Sequence, residues 1–115
     1  MTKRVYETVS RDDGFRVLVD RLWPRGVRKE AAALDAWHKE LAPSEELRTW
    51  FSHDPKKFAL FTKRYVRELN NNAAVEEFLR EVRRQRRTTL LYAAKDPAVN
   101  HAVVLQGYLL KRREP

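Results

Sequence analysis

Two short segments of the chain carry the residue types that anion binding and proton transfer require. Asp20-Arg21-Leu22-Trp23-Pro24-Arg25-Gly26 sets a carboxylate beside two guanidinium groups, and Ala94-Lys95-Asp96-Pro97 leads on to Asn100-His101. Arginine and lysine hold phosphate and carboxylate groups through charge-assisted hydrogen bonds, and a histidine beside a carboxylate can pass a proton near neutral pH. Brought together at a helix N-terminus, Arg21, Arg25, Lys95, Asn100 and His101 would surround a small anion. In that reading His101 and Asp20 are the catalytic candidates, His101 as acid or base and Asp20 as its orienting partner or that of an arginine. Arg21 and Arg25 clamp the anion, and Trp23, Lys95 and Asn100 complete the ligand site. Structural roles compete at each position. An aspartate in an apolar run needs a partner, and an ion pair to Arg21 or Arg25 would serve. Asp96-Pro97 is a common helix start, and Trp23 fills a core as readily as it stacks on a ligand.

A third segment points elsewhere. Arg80, Arg83, Arg84, Arg86 and Arg87 put five arginines within eight residues. Such a run can follow a phosphate backbone, and it equally suits the solvated end of a helix, where cations complement the dipole. A nucleic-acid or nucleoprotein accessory module is therefore the alternative to a small-ligand protein. The sequence contains no cysteine, which excludes disulfides, thiolate nucleophiles and cysteine-ligated metals. His38, His53 and His101 have no metal-ligand spacing and the three glycines form no phosphate-cradling loop, so neither a metal nor a cofactor is expected.

The elements that must position these residues follow from periodicity. Residues 3–9 are β-branched and aromatic enough for a strand, and Arg11-Asp12-Asp13-Gly14 is turn chemistry. Residues 15–22 and 88–94 are apolar without alternation, as in strands covered on both faces. Leu34, Trp37 and Leu41 recur at helical spacing, which predicts a short helix over 31–41 closed by Pro43. Ser44 caps a second helix bearing Leu47, Trp50 and Phe51, and Asp54-Pro55 starts a third that runs to about Asn70. After the Asn70-Asn71-Asn72 break, Val75, Phe78, Leu79 and Val82 stripe a fourth helix, and Asp96-Pro97 opens the last. Buried strands alternating with helices predict a single α/β domain with a small, mainly parallel or mixed sheet. The first two strands, joined by a short loop, could also form a hairpin.

Composition fits this reading. The chain has 115 residues, 43% of them hydrophobic, enough for one core. Its formal charge of +8 favours anionic partners. No apolar run is long enough to span a bilayer and residues 1–9 lack a signal-peptide h-region, so a cytoplasmic location is expected.

Four long motifs, in order, carry a resemblance: RVLVDRLWPRG at residues 16–26, LDAWHKELAPSEELRTWF at 34–51, Phe61 and Tyr65 with Glu68-Leu69 behind them, and TLLYAAKDPAVNHAVVL at 89–105. Together they resemble the YeaO-like proteins of the domain of unknown function 488 grouping over nearly the whole chain. The resemblance implies a compact α/β domain. In the broader grouping the strand before the last helix leads to a Cys-His-Arg motif, and the segment similar to residues 17–21 ends in Asp-x-Arg. Here Asn100 stands where that cysteine is expected, His101 matches the histidine and Ala102 replaces the arginine. The resemblance thus implies a pocket that keeps Asp20 and Arg21 but has no thiol chemistry.

Overall fold

Two largely apolar runs pair at the centre of one sheet, and two shorter strands join its edges. In the computed structural model, which describes residues 1–113, β1 (Thr2–Arg4), β2 (Phe15–Leu18), β3 (Ala36–Trp37) and β4 (Thr88–Tyr92) form a sheet of order β1-β4-β2-β3. Every neighbouring pair is parallel, with Val17 opposite Leu90 and Lys3 opposite Leu91. The fold is therefore α/β with a parallel sheet. The hairpin does not form, because β4 inserts between the first two strands and takes hydrogen bonds from both.

Alternation along the strands divides the core. Val17, Val19, Leu90 and Tyr92 face a large cluster with the helices α2 (Glu45–Phe51), α3 (Phe58–Asn70), α4 (Ala74–Arg83) and α5 (His101–Arg113). Val5, Leu18 and Leu91 face the other way, under Trp23, Val27, Leu34 and Trp37. Both central strands are thus covered on two faces, as their unbroken apolar character requires.

The helix expected over 31–41 is replaced by three pieces. A single turn, α1 (Lys29–Ala32), ends at Ala33 in the left-handed region (φ 48°, ψ 49°); β3 follows, and then a 3-10 turn, Lys39–Leu41. Pairing decides this. Without β3 the edge of β2 would be bare, and with it Asp35 N–H donates to the Arg16 carbonyl (2.8 Å) and His38 N–H to that of Leu18 (2.9 Å). Ala36 packs on the helical core and Trp37 on the opposite cluster, which is strand alternation. The apolar spacing read as helical spans two faces of a sheet.

The other helices begin where their caps predict. Ser44 Oγ accepts from Leu47 N–H (3.2 Å), and the Glu68 carboxylate of α3 grips Ser44 through N–H (2.8 Å) and Oγ (2.6 Å). Asp54 caps a 3-10 turn, Pro55–Lys57, that runs into α3. The last helix differs from expectation. Asp96 closes only a turn, accepting from Ala98 and Val99 N–H, whereas α5 begins at His101 with Asn100 as its cap. Among the described residues no helix is long and apolar enough to cross a membrane.

One histidine ties the sheet edge to the helical layer. His38 Nδ1 lies 2.9 Å from Glu40 and Nε2 lies 3.0 Å from Glu81 of α4. Burial opposes protonation there, but the hydrogen bonds and charges of Glu81 and Glu40 outweigh it and raise the His38 pKa. Stability from this bridge is therefore fully present below the ordinary histidine value near 6.5 and is lost as pH rises through the raised value. The groups are partly exposed, so the effect is about 1 kcal/mol or less. Urea denaturation at pH 5.5 and 8.5 should show His38→Gln losing more stability at the lower pH; an equal loss at both would remove the charged bridge.

Candidate functional site

Because β2 and β4 are parallel neighbours, the loops that leave their carboxyl ends, at residues 19–21 and 93–96, emerge side by side. Between these loops and α2 opens a cleft of about 920 Å³, a size that accepts an organic ligand at the strand ends where open α/β sheets bind one.

Asp20, Arg21, Lys95, Asn100 and His101 all line this cleft, whereas Trp23 and Arg25 lie outside its lining. Trp23 packs edge-on against Trp37 with ring centres 5.3 Å apart and donates Nε1–H to the Val27 carbonyl (2.7 Å). Arg25 is exposed, and its backbone carbonyl accepts from the Tyr6 hydroxyl (2.9 Å).

The partner of Asp20 is a histidine and a backbone amide rather than an arginine. Its Oδ2 accepts from Ala93 N–H (3.0 Å), which joins the exit of β2 to that of β4. Its Oδ1 lies 3.0 Å from His101 Nε2, but that nitrogen is also 3.1 Å from the Val19 carbonyl, and Oδ1 is left buried without a well-aligned donor. Both neighbours of Nε2 are acceptors, so Nε2 carries a proton. Arg21 reaches across to the Ala42 and Pro43 carbonyls at 3.2–3.3 Å, closing the wall behind the 3-10 turn. Under this wall the Tyr65 hydroxyl donates to the Leu41 carbonyl (2.6 Å). Burial first, then the charges of Glu68 and Asp20, push it far above the usual tyrosine range, so it stays a donor.

Asn100 is almost fully buried and its amide is engaged by the protein. Nδ2 donates to the Asp96 carbonyl (2.8 Å) and Oδ1 accepts from Val103 N–H (3.0 Å). The position at which the resemblance places a cysteine is thus the N-cap of α5, where an amide fixes the helix end.

Several lining residues escaped the sequence reading. Arg48 makes no side-chain hydrogen bond or ion pair among the described residues, and its Nε is buried without a partner. Its signal was placement: one residue after Leu47 and three before Phe51, it lies on the inner stripe of α2. Ser52 (φ 45°) and His53 (φ 57°) line the rim in left-handed backbone, a strained pair of non-glycine residues. Arg4 positions the β4 exit from outside, donating to the Ala94 (2.8 Å) and Ala93 (3.2 Å) carbonyls.

Arg80, Arg83, Arg84, Arg86 and Arg87 are all exposed. They lie on α4 and on the segment entering β4, whereas the cleft lies beyond the exit of that strand. Arg87 is 3.3 Å from Asp12. The two sequence hypotheses therefore use separate surfaces.

Comparison with known proteins agrees with the residues. Residues 1–114 match the family described as "Inactive DUF488-N3 subclade". The chain is 44% identical over 107 residues to Uncharacterized protein YeaO of Escherichia coli, covering 93% of each chain. It is 46% identical over 106 residues to Uncharacterized protein Rv3073c of Mycobacterium tuberculosis, covering 92% of this chain and 89% of that one. No solved structure gives a significant match. With this match over nearly its whole length, the chain belongs to the YeaO-like proteins of the DUF488 family, in the subclade described as inactive.

Proposed function

We propose that this chain binds a small organic phosphate or carboxylate in the cleft between the β2 and β4 exits. One observation carries the reading: the charge left unengaged there is positive. Of the two carboxylates in the lining, Asp20 is held by Ala93 N–H and His101, and Asp96 by the Ala98 and Val99 amides. Of the three cations, Arg48 and Lys95 have no side-chain partner among the described residues, and Arg21 is held only by long bonds to carbonyls. An oxyanion supplies the missing acceptor.

Acid–base turnover is a second reading, favoured by the 3.0 Å approach of Asp20 to His101. In it, His101 Nδ1 takes a proton from water, the hydroxide attacks the ester phosphorus or carbonyl carbon, the bond to the ester oxygen breaks, and the imidazolium passes that proton to the departing alkoxide.

Thermal shift in the presence of inorganic phosphate, sugar phosphates, carboxylates and short oligonucleotides, at two salt concentrations, tests the binding. A small anion should stabilise the protein, and Arg48→Ala/Lys95→Ala should abolish that gain while the variant remains folded. Stabilisation by oligonucleotides alone, steep in salt and lost on replacing Arg83, Arg84, Arg86 and Arg87 by Ala, would transfer the function to the arginine surface.

A further inference from the structure

At the end of the sheet remote from the cleft, where the chain enters β2 and β4, two hollows of about 340 and 460 Å³ adjoin and share Asp12, Gln85, Arg86 and Arg87 in their linings. The smaller is apolar at its base, built from Val82 near the end of α4, Leu90 of β4 and Leu109 of α5. Met1 and Leu110 line it too, each 53% exposed, so their apolar surface is open to a partner. Large aliphatic side chains left open around one hollow mark an interaction surface, whereas single scattered ones do not. The larger hollow adds Arg11, Gly14, Phe15 and Asp35.

The charge open to a partner there is positive. Of the carboxylates in the two linings, Asp12 is 3.3 Å from Arg87, and Asp35 accepts from Arg16 N–H (2.8 Å). Arg11 and Arg86 are exposed and make no side-chain hydrogen bond or ion pair among the described residues. Arg83 and Arg84, exposed just earlier in the chain, add the same sign. Bilayers, nucleic acids and acidic proteins all answer positive charge, and the shape separates them. Side chains that line a hollow, rather than project from a helix face, have no acyl layer to enter. A single nucleic-acid strand binds through rings on which its bases stack, and the apolar hollow has none among the described residues of its lining. An acidic protein segment supplies both parts, carboxylates for the arginines and an aliphatic side chain for the hollow.

We propose that this end of the sheet docks a segment of another protein in which acidic residues flank an aliphatic anchor. The anchor packs against Met1 and Leu110, and the carboxylates reach Arg86 and Arg11. Burial of the anchor supplies affinity and the arginines supply selection by charge, which salt weakens. None of these residues lines the cleft at the opposite end, so this surface and the anion-binding reading stand or fall separately.

Fluorescence anisotropy of the full chain with labelled peptides of equal length provides the test. The peptides are a glutamate-rich one carrying a leucine pair, the same peptide with serine in place of leucine, and a lysine-rich one with the leucine pair. Labelled oligothymidylate and sedimentation with phosphatidylglycerol vesicles stand beside them. The acidic leucine peptide should bind about 10-fold tighter than its serine counterpart, and both acidic peptides should weaken as salt rises. Leu110→Ser, at a half-exposed position that leaves Leu105 and Leu109 in the core, should remove the 10-fold preference and leave the serine peptide unaffected. Arg11→Ala/Arg86→Ala should weaken both acidic peptides by a similar factor. Equal binding of the leucine and serine peptides would overturn the proposal, as would a preference that survives Leu110→Ser. Preference for oligothymidylate, for the lysine-rich peptide or for the vesicles over the acidic leucine peptide would overturn it too, and so would failure of that peptide to bind. The wild-type comparison decides the matter even where a variant does not fold.

Discussion

Replacing Asp13 by Ala should cost about 3–5 kcal/mol of stability, because it strands a buried guanidinium. Asp13 is 1% exposed and Arg16 4% exposed, and they form an ion pair at the entrance to β2. Asp13 also accepts from Lys3 Nζ (3.0 Å) and Ser10 N–H (3.0 Å), while Arg16 donates to the Ala32 (2.8 Å) and Ala33 (3.1 Å) carbonyls. Each guanidinium nitrogen of Arg16 and each carboxylate oxygen of Asp13 thus has a partner, and the loss of one member leaves charge without water. Burial by itself would push the Asp13 carboxyl up, but the Ser10 amide, Lys3 and Arg16 together bring it below the usual carboxylate value. Its contribution is accordingly complete above the unfolded value near 3.9 and is lost as pH falls through the lower folded value. Urea denaturation at pH 7 should show the full loss, and the variant and wild type should converge in acid. A loss under about 1 kcal/mol at pH 7 would show that water reaches the cluster. Asp13→Ala combined with Arg16→Met should cost less than the sum of the single changes, since the second removes the stranded charge.

Gly14→Ala should be of similar size for a different reason. Gly14 follows Asp13 at φ 65°, ψ −132°, a conformation that L side chains rarely adopt. A Cβ there would stand 2.5 Å from the Arg87 carbonyl oxygen and 2.7 Å from the Arg87 Cβ. The same carbonyl accepts from Phe15 N–H (2.9 Å), the contact that begins the pairing of β2 with β4. Relief must therefore come from moving one strand against the other. A cost of at least about 3 kcal/mol is expected from strain and displaced pairing together. Gly107→Ala is the internal control. That glycine lies within α5 with nothing within 4 Å of its added Cβ, so the change should stabilise by about 0.5–1 kcal/mol. Thermal melts of both variants side by side check the argument, and a Gly14→Ala protein that melts with the wild type would refute it.

The sequence displays its local signals and hides its non-local ones. Ser44 and Asp54-Pro55 announce their helices because a cap acts within three residues of itself, and the apolar runs at β2 and β4 announce burial on both faces. β3 was hidden because two residues owe their extended form to β2, some twenty positions earlier in the chain, and their apolar spacing mimics a helix. The candidate site divides the same way. Asp20, Arg21, Lys95, Asn100 and His101 reach one cleft because parallel strands bring their carboxyl ends together, which the sequence reading anticipates. Trp23 and Arg25 miss it because the chain leaves the cleft after Leu22: Trp23 packs against Trp37 on the other face of the sheet, and Arg25 is exposed. Arg48 was overlooked because charge on a helix ordinarily faces water, and only the packing of α2 shows this one facing inward.

The strand order has a consequence for how the protein comes to exist. β4, the strand that both β1 and β2 require as a neighbour, is made of residues 88–92 in a chain of 115. While synthesis proceeds from the N-terminus, β1 has no partner and β2 has only the two-residue β3. The core facing α2, α3 and α4 lacks Leu90, Tyr92 and the whole of α5. Neither β1 nor the inner edge of β2 can therefore find its neighbour until residues 88–92 have followed them, which makes the sheet depend on pairings of long sequence separation.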